Sequence, residues 1–291
     1  MVGKTVVPPT GFDLRDSFWY LRSKLHRTIL VGMTFAATDR IADSNLTQTS
    51  SFAQYAAPED TGLGMFLRSA VNGRLSDSFL TWRRIIGAGG DQPGESERSF
   101  SLLKYISPTW NGLTAVGTSV VTDFWDAALR YRGQVGGFDV AAGIGYLQLT
   151  PGSRSRSMCA AADLTVAGDE TTCRQLSGSI SVLHLDTGLF VNFGSGLTMD
   201  GLIDDTARYF SSGIDADQTF WSGQAGIERQ ILALGKSTVY GGYFTYDGGA
   251  TTARIIGPGD ALNPTGLGDW AVWHSSVNIW GGGLAQGIDS A

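Results

Sequence analysis

Few residues of this 291-residue chain stand at spacings that chemistry would need. Gly235-Lys236-Ser237 matches the end of a phosphate-binding loop, but Gln230 stands where that loop's first glycine is required. Asp186-Thr187-Gly188 has the form of an aspartic-protease turn, but a hairpin turn between two strand-like runs is the better account. Gly143-Ile144-Gly145 and Gly194-Ser195-Gly196 lie inside such runs with no helix after them, so they are not dinucleotide sites. His26, His184 and His274 are scattered, and no nucleophile elbow is present. Neither catalysis, a metal nor a cofactor is expected. What remains is charge. The acids Asp39, Asp43, Glu59 and Asp60 fall in one long connection, and Lys104, Arg130 and Arg132 fall in strand-like runs.

Extended chain must carry those bases. Residues 125–149, WDAALRYRGQVGGFDVAAGIGYLQL, read as two strands of about ten residues joined by a Gly-Gly turn. Successive strand side chains point to opposite faces. Trp125, Ala127, Leu129 and Tyr131 share one face; Asp126, Ala128, Arg130 and Arg132 share the other. Similar runs cover residues 12–24, 28–35, 100–107, 113–122, 174–185, 189–199, 219–231, 237–247 and 270–285. Their second face stays polar or small. Ser177 and Ser179 oppose Leu176 and Ile180; Asn192 opposes Val191 and Phe193. Gln224 and Glu228 oppose Trp221 and Ile227, and Asn278 opposes Val277 and Ile279. That pattern predicts a wet lumen faced by Ser177, Ser179, Asn192, Gln224, Glu228 and Asn278.

Connection lengths sort by end. Residues 108–112, 136–137, 186–187 and 232–235 are short turns. Residues 150–173, 201–218 and 248–269 are long, with 123–124 as the short exception on that side. The longest connection is 36–98, with strand-like or helical pieces at 64–71 and 76–86. Strand length, aromatic strand ends and this asymmetry predict an all-β fold, an antiparallel transmembrane β-barrel. No run of about 18 apolar residues exists, so no transmembrane helix is expected. The net charge of −6 argues against a nucleic-acid partner. Cys159 and Cys173 suit one disulfide closing the 150–173 loop, worth roughly 3 kcal/mol, in an oxidising compartment; the alternative is two free thiols. No signal peptide is visible at the start of the chain.

Four segments carry a family resemblance. They are KYISPTWNG at 104–112, FWDAALRY at 124–131, FDVAAGIGY at 138–146 and STVYGGYFTY at 237–246. In this order they resemble the trimeric porins of Gram-negative outer membranes, the alphaproteobacterial group above all. The closing GGGLAQGIDSA is similar to the turn before those porins' last strands. The resemblance implies a sixteen-stranded barrel, a homotrimer in outer-membrane lipid, and passive diffusion of small hydrophilic solutes and ions. It also implies that the loop after Phe35 folds into the lumen as a constriction. Asp39 and Asp43, with Glu59 and Asp60 in the same loop, would face Lys104, Arg130 and Arg132 on the wall. The plainer alternatives are solvated loop acids, and rim arginines paired with Asp126 or Asp139.

The chain departs from that pattern by holding only about 11–13 strands, where single-chain barrels have even numbers. It also lacks the closing aromatic strand. A single porin domain over 1–291, truncated at both ends, is the expectation. The rival is a non-porating surface β protein, adhesin-like or a barrel plugged by its own loop.

Overall fold

The computed structural model describes residues 16–58, 65–75, 82, 99–120, 124–149, 172–201, 217–249, 255–256, 270–271 and 274–288. The strands are β1 (Ser17–Ser23), β2 (Arg27–Phe35), β3 (Ser99–Ile106), β4 (Leu113–Val120), β5 (Phe124–Val135), β6 (Phe138–Leu149), β7 (Cys173–His184), β8 (Leu189–Asp200), β9 (Asp217–Leu232) and β10 (Gly235–Gly249). Two short strands, β11 (Ile255–Ile256) and β12 (Trp270–Ala271), precede β13 (His274–Gln286). Eleven strands form one sheet in the order β1-β2-β3-β4-β5-β6-β7-β8-β9-β10-β13, and β11 pairs with β12 apart from it. The expected all-β antiparallel fold is therefore present, as a sheet whose edges do not meet.

The expected strand at 270–285 is divided. Its first two residues join β11 in the separate ladder, and β13 alone adds to the sheet. Every neighbouring pair in the large sheet is antiparallel. With eleven strands, β1 and β13 consequently run in the same direction. A direct ladder between them would be parallel, so antiparallel closure takes an odd number of further strands.

The loop asymmetry has a local cause at one rim. Gly136 and Gly137 both have positive φ, 56° and 85°. Two such residues in succession make the tight turn whose twist matches a right-twisted hairpin, and glycine adopts them without a Cβ clash. Short turns at 24–26, 107–112, 185–188 and 233–234 lie at the same rim. The connections at the opposite rim include 36–98, 150–172, 201–216 and 250–273, with 121–123 again the short one. None of the described helices is long and apolar enough to cross a membrane, which leaves crossing by strands open.

The two faces of the sheet differ as the alternation predicts. Ile144 of β6, Ile180 of β7 and Val191 of β8 are 55%, 42% and 56% exposed on the outer face. Trp125, Trp221 and Tyr243 lie exposed on the same side. On the inner face, an apolar layer near the long-loop rim joins Phe124, Leu147 and Leu149 to Ala36. A second cluster joins Phe220, Phe244 and Tyr246 to Ala42, Tyr55 and Ala56. Both clusters use residues from the connection after β2, so residues 36–58 of that connection lie inside the curve of the sheet.

Candidate functional site, an inward strap on the polar wall

Residues 36–58, here called the strap, cross the inner face transverse to the strands. At the strap's root, Lys104 Nζ of β3 donates to the carbonyls of Phe35 (3.0 Å) and Ala36 (3.3 Å). Arg130 of β5 donates to the carbonyls of Ala37 (3.0 Å) and Asp39. Asp126 Oδ2 accepts from the Thr38 amide at 2.7 Å and the Thr38 hydroxyl at 2.8 Å. Its Oδ1 accepts from the Thr118 hydroxyl of β4. Asp126 is 1% exposed, and a carboxylate so deeply buried is tolerable only because three donors replace water.

Further along, β7 takes over. Ser179 Oγ donates to the Ile41 carbonyl at 2.6 Å and accepts from the Ser44 amide at 3.0 Å. Ser181 Oγ accepts from the Leu46 amide at 3.1 Å and donates to Asn192 Oδ1 of β8 at 2.6 Å. Asn192 Nδ2 in turn donates to Gln224 Oε1 of β9 at 3.0 Å. Gln224 also accepts from the Thr49 hydroxyl at 2.8 Å and donates to the Ala53 carbonyl at 3.1 Å. At the strap's far end, Glu228 Oε2 accepts from the Gln48 amide at 2.7 Å, and Gln48 Nε2 donates to Thr238 Oγ1 of β10 at 2.5 Å. Lys236 completes this end with a 2.8 Å ion pair to Glu228.

The strands between these anchors carry glycines instead. A Cβ at Gly143 or Gly145 of β6 would press on Ile41 and Thr38, and one at Gly194 of β8 would run into the Ala42 carbonyl. β5, β7 and β9 hold the strap by side chains; β6 and β8 give it room to lie against backbone. Ile41 fills that groove and is fully buried.

The charged residues expected to act across an opening take up particular places in this seam. Asp39 lies near Arg130 and Lys104; burial raises its carboxyl above the usual range, and those two cations pull it back down. Asp43 is pushed up to about 6 by burial, with the Arg40 guanidinium at 3.1 Å opposing the shift. Its side chain is only 5% exposed, so it is not a solvated loop acid. Glu59 and Asp60 lie outside the described residues. Arg132 is the most open of the wall bases and pairs with Asp139 at 3.7 Å.

Parity is right for five of the six lumen candidates, and what they face is not water. Ser177, Ser179, Asn192, Gln224 and Glu228 all point inward and are buried, Asn192 completely. Segment 36–58 covers this wall. Asn278 lies on the outer face instead. It accepts a 2.7 Å bond from the Tyr243 hydroxyl, while its neighbours Val277 and Ile279 pack against the inner cluster. Trp280 and Leu284 compete with Val277 and Ile279 for the outer face, and contact with Phe244 and Tyr246 decides the contest. Cys173 is buried and disulfide-bonded; Cys159, the chain's other cysteine, lies outside the described residues.

Several functional residues escape a reading of the sequence. Asp126 was visible only as a partner for arginine, and its parity with Arg130 was the available signal. Thr38 and Gln48 meet carboxylates 88 and 180 residues away, which no local pattern marks. Among the described residues there is no cluster of acids, histidines and cysteines suited to a metal. Comparison with known families finds no matching family model, and comparison with curated proteins finds no match.

Proposed function

We propose that this chain forms the wall of a water-filled outer-membrane channel for passive diffusion of small hydrophilic solutes and ions. The strap is its inward-folded constriction. One observation carries the proposal: the sheet is inside-out relative to a soluble protein. Ile144, Ile180 and Val191 stand exposed on the outer face, while carboxylates, serines and amides line the inner one. Lipid suits the first face, and a polar interior suits a barrel. Strands of 12 residues in β5, β6, β7 and β8 are long enough to cross a bilayer at a tilt. The porin resemblance of residues 104–146 and 237–246 points the same way and adds a homotrimer. A Cys159–Cys173 disulfide, supported by the bonded state of Cys173, closes the loop before β7.

A second reading has its own support. Ser181 and Asn192 have no exposed surface, so the strap seals this part of the wall against water. A barrel plugged by its own loop would do the same. Planar-bilayer recording from the refolded chain separates the two. Stepwise conductance whose ion preference shifts with Asp39→Lys supports the open channel. Silence from the wild type with steps from Asp126→Ala, which loosens the strap's root, supports the plug. Silence from both, with β-rich circular dichroism, overturns the channel.

A further inference from the structure

Beneath the rising limb of the strap, the inner wall is bare. Gly242 of β10 and Gly281 of β13 are direct cross-strand partners and both face inward. With no side chain on either, a cleft of about 270 Å³ opens between backbone and strap. Tyr240, Phe244 and Ile279 flank it, and Gln54, Tyr55 and Pro58 roof it. No acid or base is among its described lining residues. We propose that this cleft is a binding site for a small uncharged polyhydroxylated ring, a monosaccharide.

Three features select that class. The volume equals about nine waters, which fits one sugar ring and not a chain of them. Aromatic walls suit the C–H face of a pyranose, while the amide of Gln54 offers directional hydrogen bonds. A charged solute would lose its hydration here and find no counter-charge in exchange. The site goes beyond the channel proposal and does not require conduction, so it is tested separately from it.

Gly281 provides the clean probe, because nothing lies within 4 Å of a Cβ built there. Gly281→Leu should fill the cleft without pushing on the fold. The measurement is equilibrium binding of D-glucose to the full chain refolded in detergent, with D-gluconate as the charged control. Saturable glucose binding is expected. Gly281→Leu and Tyr240→Ala should each weaken it at least about tenfold, and gluconate should bind at least about tenfold less tightly than glucose. Absence of saturable glucose binding to β-rich wild-type protein overturns the proposal. So does unchanged binding in Gly281→Leu, or equal binding of gluconate.

Discussion

β1 and β8 belong to the same sheet and have opposite surroundings. β1 has one neighbour and the strap never reaches it, so every residue from Ser17 to Ser23 is exposed on both faces. β8 has two neighbours and lies under the strap, so Phe190, Asn192, Gly194 and Thr198 are buried while Leu189, Val191 and Phe193 are not. Extended chain in one sheet thus gives either a strand with no buried face or one with a dry polar face. Burial of the inner wall comes from the strap. Where the strap crosses the wall, Ser179, Ser181 and Gln224 anchor it, whereas Arg132 faces solvent.

The largest test of that contrast removes the deepest anchor. Asp126→Ala would leave the Thr38 amide and the Thr38 and Thr118 hydroxyls without their acceptor. A loss of about 4 kcal/mol is expected in urea unfolding followed by tryptophan fluorescence. A loss under about 1 kcal/mol would mean the strap does not depend on the wall. The outer face is tested next by Ile144→Lys, at the middle of β6. In lipid vesicles it should destabilise by about 2–4 kcal/mol, because a charge then meets hydrocarbon. Near-neutral behaviour would place that face in water.

The smallest effect is a pH dependence. Burial raises Asp43 from 3.8 to about 6, so the folded chain keeps a proton there that the unfolded chain has released. The stability this contributes is fully present below pH 3.8 and is lost as pH rises through 6, at most about 3 kcal/mol. The difference between wild type and Asp43→Asn, followed from pH 4 to 7, should fall along that curve. A flat difference would put Asp43 in solvent and detach this part of the strap.

Much of the sheet was legible because its signals are local. Alternation placed Arg130, Ser179 and Gln224 on the right face, and Gly136-Gly137 marked a hairpin. The misreading of Asn278 has the same local root: β13 carries apolar residues at both parities, so alternation alone could not choose between them. The seam was not legible, since its partners lie far apart in sequence and have ordinary side chains.

The amino-acid order by itself determined an antiparallel sheet with one oily and one polar face, and short turns at one rim. Those properties follow from steric preferences of single residues and their neighbours. Only the tertiary structure decided that the polar face is sealed, because desolvation depends on what lies above a residue. Thr38 and Gln48 must come from another part of the chain to meet Asp126 and Glu228, and buried carboxylates hold there only when such donors arrive.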